Sequence, residues 1–376
     1  MKKKRKSRLK RVLKLRAPKR LARVRIPKIR RRGQEADTKL VEAIQNLPRI
    51  TNETVAEHRE EVLSSARKYI YPLSHSKRRV VSITVGLLVV VVLLFFGSIT
   101  FALYKLQSTS TFVYAVTRVI PFPVAKAGPS WVSYESYLFE LRHTMHYYQT
   151  QAQPREDFNN PRYKKHLVEL KQQAMAQVIQ DAYVKQLASK HHVSVSSREV
   201  SNEVTLVRQQ NRLGSNDRVF RDVLSEFWGW TPDDFKRELK GQMLAQKVVS
   251  KLDTATQQRA TTALKQLQAG ADFAALAQQA SDDTSTKANG GDYGIAIDRS
   301  NSDIAPVVTD ALFKLKPGQL SGIIDTGYSL EIDKVTSVEG SKVRASHIVF
   351  NFQPLSKYTD PFNKSEPPHR FIKIAD

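Results

Sequence analysis

Few side chains in this 376-residue sequence have both the type and the spacing for chemistry. Glu140, His143 and His146 recur at three-residue steps. On a helix that puts them on one face and suggests a metal site, but zinc sites seldom rest on that spacing alone, and a polar helix face is the simpler account. His347 alternates with Val343, Ala345 and Val349 as residues on one strand face do. It therefore reads as a hydrogen-bonded core histidine or as a functional one. Asp283 lies in the loop SDDTSTKANGGDYG, where an aspartate commonly closes a turn or caps a helix. Gly290, Gly291 and Gly294 in the same loop suit backbone with positive φ better than ligand binding. With no cysteine, disulfides, thiolate metal sites and a cysteine nucleophile are excluded. There is no Walker loop, nucleophile elbow or dinucleotide fingerprint, so neither a cofactor nor a metal is expected.

The elements that must position these residues fall into two parts. Ser133 is placed to cap a helix from Tyr134 through LFELRHTMHYYQ, and Tyr163 to Lys190 is one long helix with apolar residues at near-helical intervals. Ser196 and Glu199 form a capping box, and Thr231 before Pro232 opens another helix. Residues 128–252 are expected to be all-α. After residue 255 the pattern changes to the helices QRATTALKQLQAG and DFAALAQQAS, a helix around VVTDALFKL, and the extended runs SGIID, SLEIDKV and KVRASHIVF. The last two runs are joined by SVEGS as a hairpin, which makes residues 253–376 an α+β unit.

Before these parts lies an apolar segment. Val80 to Tyr104 reads as 25 residues without a charge, where about 20 apolar residues cross the hydrocarbon layer. Lys77, Arg78 and Arg79 abut its N-terminal end, so the positive-inside rule places the N-terminus in the cytoplasm and the larger C-terminal part outside. An uncleaved signal anchor fits better than a cleaved signal peptide, whose basic region would be far too long. The formal charge of +24 is local: residues 1–32 hold 18 Lys or Arg and no acid. This basic cytoplasmic tail (1–33) is drawn to anionic membrane lipids. Nucleic acid or a ribosome is a weaker candidate partner, because the tail has no aromatic stacking residue and no folded recognition motif. Residues 34–79 read as a cytoplasmic helical segment with Leu40, Ile44 and Leu47 at helical spacing and Thr51 capping a second helix. Residues 105–127 read as a linker.

The stretch from Ala263 to Ile297, followed by LFKLKPGQLSGIIDTGYSLEIDKV, resembles the parvulin family of peptidyl-prolyl isomerases over about 75 residues. The resemblance rests on the run Gly270 to Asp282, the Gly-Gly-Asp-x-Gly turn at Gly290 to Gly294 and the segment Leu315 to Ser321. The helical region before it, with WVSYESYLFE and GWTPDDFKRELKGQMLAQKV, looks like the N-terminal domain of bacterial SurA-like and PrsA-like foldases. The family's opening strand, with its Ser-His-Ile triplet, is missing before the first parvulin helix, whereas Ser346, His347 and Ile348 supply that triplet after the last expected strand. A circularly permuted domain is expected, with the His-bearing strand at 342–350 filling the vacant place and FIKIA forming an added strand or tail. A truncated second copy is the rival.

The resemblance implies prolyl isomerisation, which breaks no bond and therefore needs no nucleophile. Rotation about the peptide bond faces about 18–20 kcal/mol, and a catalyst lowers this with an apolar pocket for the proline ring and polar groups that favour the twisted amide. It places Asp283 and His347 in the polar cluster, and Tyr293, Ile304, Val308 and Phe313 around the proline pocket. Val308 stands where phenylalanine is usual, and Ser329 stands where the family has a second histidine. The expectation is a membrane-anchored extracytoplasmic foldase that binds unfolded or proline-containing exported polypeptides, with weak or absent isomerisation. An efficient isomerase with Ser329 replacing the histidine is one alternative, and a non-catalytic scaffold is another. The aromatic run Trp131, Tyr134, Tyr137, Phe139, Tyr147 and Tyr148 builds a core or lines a client groove.

Overall fold

The computed structural model describes residues 41–42, 44–45, 50–70, 73–210 and 216–374. The basic tail expected at 1–33 lies outside the described residues. The chain divides into two compact units, 1–89 and 90–376. In the first, helix α1 (Asn52–Ile70) opens on Thr51, whose hydroxyl accepts the Thr54 N–H. Helix α2 (Leu73–Tyr104) begins here and continues into the second unit. Its segment Arg79–Tyr104 is long and apolar enough to cross a membrane.

The second unit starts where the last turns of α2 become a packing surface. Ile99 and Leu103 are buried against Val113, Tyr134 and Tyr137. The Tyr134 hydroxyl donates to the Leu103 carbonyl at 2.6 Å, so the helix end is fixed by a buried bond as well as by apolar contact. The stretch expected as a linker is folded: helix α3 (Thr111–Val119) and strand β1 (Pro123–Ala127) bury Val113, Thr117, Val124, Ala125 and Ala127. Strand β2 (Ser130–Ser133) returns antiparallel to β1 through a turn at Gly128, whose φ is +54°.

Helix α4 (Tyr134–Thr150) begins as its cap demands, with the Ser133 hydroxyl accepting the Ser136 N–H. It packs against α5 (Lys164–Lys190) and α7 (Asp217–Trp228). Helices α6 (Ser197–Gln210), α7 and α8 (Pro232–Leu252) close a satellite core around Val200, Phe220, Leu224 and Leu239. This part is not all-α. Strand β1 is the middle of a three-stranded sheet, with β2 on one side and β6 (His369–Arg370) on the other. The chain's C-terminal end therefore belongs to the helical lobe and not to the α+β unit expected over 253–376. Helix α12 (Ser356–Ser365) lies on α5, the Tyr183 hydroxyl donates to the Glu366 carbonyl, and Ile372 is buried in the helical core.

The α+β lobe is inserted between α8 and α12. Asp253 fastens the junction: it is buried and accepts from the Thr256 N–H and hydroxyl and from the Gln353 N–H, so both strands of the junction close on one carboxylate. Helices α9 (Thr254–Gln268) and α10 (Phe273–Ala280) cover one face of the sheet, against Leu330, Ile332, Ile348 and Phe350. Helix α11 (Pro306–Leu312) covers part of the other, against Val335, Val343 and Ala345. The sheet runs β3 (Ile324–Asp325), β4 (Ser329–Glu339), β5 (Lys342–Asn351), all antiparallel. Bridges from Asp292 to Ser346 and from Ile297 to Val343 occupy the outer edge of β5, so the late strand is interior to the lobe.

Candidate functional site

Strand register builds the site. Side chains alternate along a strand, so Ser329, Glu331, Asp333 and Val335 share one face of β4, and the opposite face goes to the α9–α10 core. Asp333 stands directly opposite His347 on β5. The loop after α10 then brings Asp283 over the pair. His347 Nε2 lies 2.9 Å from Asp283 Oδ2 and 2.9 Å from Thr286 Oγ1. Thr286 in turn donates to Asp283 Oδ2 at 2.5 Å, and the Ser285 N–H and hydroxyl donate to Oδ1. Burial would raise the Asp283 pKa, but these donors and His347 prevail and hold it well below the usual carboxylate range. An ionised Asp283 that only accepts requires the proton of His347 to sit on Nε2.

The other ring nitrogen is unsatisfied. Among the described residues His347 Nδ1 has no hydrogen-bond partner, and Glu331 Oε2 lies 3.8 Å away. Burial would lower the His347 pKa, but Glu331 and Asp283 outweigh it and raise it. Tyr293 lies against His347 with the rings tilted by 45° and their centroids 4.1 Å apart, and it donates its hydroxyl to Asp333 Oδ1 at 3.0 Å. Asp333 is 0% exposed, its Oδ2 is unpartnered, and burial next to Glu331 pushes its carboxyl up to about 7.

The structure thus joins His347, Asp283 and Tyr293. Ser329 goes elsewhere: its hydroxyl donates to Glu331 Oε1 at 3.1 Å and also lies 2.9 Å from Thr326 Oγ1. Ile304 and Val308 pack in the core under α11, with Val308 only 1% exposed. Phe313 lies at the margin of that core under the Arg299 guanidinium, beside a cavity of about 690 Å³ that also takes in Leu315, Val338 and Val343. Thr286, Glu331 and Asp333 are site groups that the sequence reading passed over. The alternation Ser-Leu-Glu-Ile-Asp-Lys-Val was the available signal for the two acids, since it puts three polar residues on one strand face.

Glu140, His143 and His146 do not converge on a metal. His143 Nδ1 bonds the Phe139 carbonyl within its own helix, while His146 Nε2 bonds the Glu226 carbonyl on α7. Of the aromatic run, Tyr134, Tyr137 and Phe139 are core, whereas Trp131 is exposed and stacks on Phe371.

Two family models match this chain: a SurA-like N-terminal domain over residues 74–249 and a PPIC-type PPIase domain over 243–337. The second stops short of β5, so His347 lies outside the matched residues. The foldase protein PrsA of Caldanaerobacter subterraneus subsp. tengcongensis is 28% identical over 185 residues, which are 46% of this chain and 58% of that protein. The chaperone SurA of Albidiferax ferrireducens is 33% identical over 128 residues, 30% of this chain and 27% of that protein. The chain thus spans little more than half of the first relative and about a quarter of the second. The crystal structure of PrsA from Streptococcus pneumoniae shares 18% identity over 64% of this chain and 84% of that one, with a TM-score of 0.20. The chain thus joins a match to a SurA-like N-terminal domain to a match to a PPIC-type PPIase domain, in that order, and is similar to PrsA and SurA proteins.

Proposed function

We propose that this protein is a membrane-anchored extracytoplasmic foldase that binds unfolded or proline-containing exported polypeptides, and that its prolyl isomerisation is weak or absent. The observation that carries the reading is a polar cluster set apart from the cavity beside Phe313, whose lining takes in neither Asp283 nor His347. Asp283 and His347 meet at 2.9 Å, but Ile304 and Val308, the side chains that would receive a proline ring, are 7% and 1% exposed. A catalyst that favours the twisted amide must hold the ring as well as the carbonyl, and two of the four side chains expected to hold it are buried in the core. Strand β5 pairs antiparallel with β4 and brings His347 to Asp283, which supports the permuted arrangement of the domain. The 2.9 Å pair also favours a second reading, an efficient isomerase whose pocket opens on client binding.

The test uses the full chain in detergent micelles. Prolyl cis/trans exchange in short Xaa-Pro peptides is followed by NMR beside suppression of client aggregation, for the wild type, His347→Ala and Asp283→Ala. Suppressed aggregation with exchange at the uncatalysed rate of tens of seconds is the expected result. Acceleration lost in either variant would establish the isomerase, and a well-folded chain that does neither would overturn both readings.

A further inference from the structure

Glu331, Asp333 and His347 each offer one ligand atom, and these atoms lie within 4.8 Å of one another. Two of the three residues are more than nine-tenths buried and each carries an orphan: Asp333 Oδ2 and His347 Nδ1 have no partner. A buried polar atom without a partner is costly, and a cation between Asp333 Oδ2 and His347 Nδ1 would satisfy both at once. The remaining atom of each group is already engaged. Asp283 holds His347 Nε2–H, Tyr293 donates to Asp333 Oδ1, and Ser329 donates to Glu331 Oε1. Each candidate ligand is therefore oriented from behind with its free atom directed inward, which is how outer partners prepare a metal site.

We propose that Glu331, Asp333 and His347 bind a divalent transition-metal cation of the zinc type through Glu331 Oε2, Asp333 Oδ2 and His347 Nδ1. The donor set of one imidazole and two carboxylates suits zinc, which binds three protein groups and leaves a position for water at bonds of about 2.0–2.2 Å. Tetrahedral ligands at that length stand about 3.4 Å apart. The 3.8 Å between His347 Nδ1 and Glu331 Oε2 thus needs only a small closing movement. The Asp283 bond to Nε2 fixes the tautomer in which Nδ1 carries a lone pair, which is the form a metal requires. Because the site depends on β5 lying beside β4, a cation would also clamp the late strand in place.

The experiment is a calorimetric titration of zinc chloride into the full chain in detergent micelles at pH 7.5, with wild type, Glu331→Gln, Asp333→Asn and His191→Ala/His192→Ala. Both carboxamides keep the shape of the side chain, and a thermal melt in chelator verifies that each variant folds. One zinc equivalent that weakens at least about 100-fold in Glu331→Gln and Asp333→Asn, but not in His191→Ala/His192→Ala, is the expected result; removing outer partners alone typically costs 10–100-fold. Zinc should also move the ¹⁵N resonance of His347 Nδ1 and leave Nε2 as a donor to Asp283. Equal binding by wild type and both carboxamide variants, or an Nδ1 resonance that zinc at saturation does not move, would overturn the proposal. None of these readouts depends on isomerase or client-binding activity.

Discussion

At Glu140 the helical lobe holds a carboxylate that water hardly reaches. Burial, with Glu238 and Asp181 nearby, pushes its pKa up to about 8 against the pull of Arg237. A folded pKa above the unfolded value means the fold favours the proton. The stability this contributes is complete below about pH 4.5 and is lost as pH rises through 8. Glu140→Gln removes the dependence, so the variant should gain on wild type by up to a few kcal/mol between pH 5 and 9, read as the difference in denaturant midpoints. His143, 3.7 Å from Glu140, has its pKa lowered by burial and acts in the opposite direction below its ordinary range. The comparison of variants, not the raw pH profile, therefore isolates Glu140. At Gly291 the constraint is steric. Its φ is +82°, and an added Cβ would overlap the His347 carbonyl, while its own carbonyl accepts the His347 N–H at 2.8 Å. Gly291→Ala should destabilise the α+β lobe by about 3 kcal/mol or more, through left-handed strain together with a clash that neither backbone can relieve. A loss below 1 kcal/mol in chemical denaturation would mean the loop moves freely around the site.

The elements that escaped the sequence are those stabilised by distant partners. Pro121, Pro123 and the Ser/Thr run before them read as linker, yet β1 is the middle strand of its sheet. Its partner β6 arrives some 240 residues later, through Ala125 opposite Arg370 and Lys126 opposite His369. No local signal announces such a pairing. Two deletions follow from it. A chain cut to residues 128–376 loses β1 and the packed end of α2, and its helical lobe should melt early or aggregate. Removing residues 355–376 takes away Ile372, the Phe371 N–H bond to the Val124 carbonyl and the Tyr183 anchor, and should have a similar effect. Burial of one Ile side chain alone contributes about 1.5–3 kcal/mol. Limited proteolysis should find new cuts in α5 while the α+β lobe resists; an unchanged pattern would show that β6 is dispensable. Capped helices, by contrast, were legible from the sequence because their signals are local. Ser133, the Ser196 and Glu199 pair, and Thr231 each make the bond their spacing predicts. The pairing of β5 with β4 was legible for a related reason, since SVEGS turns the chain back on itself, whereas the meeting of His347 with Asp283 was implied only by the resemblance to parvulins. The gathering of Glu331 and Asp333 with His347 was not, because it depends on which residues of the two strands stand opposite one another.

The whole chain is organised around a helix that serves two environments. From Val80 to Phe96 the apolar side chains of α2 are exposed, whereas Ile99 and Leu103 are sealed in the helical lobe. At 1.5 Å per residue, the stretch from Val80 to Ser98 measures about 28 Å, close to the roughly 30 Å of hydrocarbon it would have to cross. The folded lobe then begins within the helix's final turns, leaving no length of free chain to act as a tether. By the positive-inside rule, the 18 basic residues of the first 32 would favour an orientation with this end on the cytoplasmic side. In sealed inverted vesicles, whose cytoplasmic face is outward, protease should remove the tail and leave a protected fragment that starts near residue 79. Replacing Leu88 and Val91 with arginine adds about 2.5–3.5 kcal/mol to insertion for each substitution and should move the chain into the soluble or aggregated fraction. Cleavage within the α+β lobe of intact inverted vesicles would reverse the topology, and it would also remove the lobe from the compartment where an extracytoplasmic foldase meets its clients.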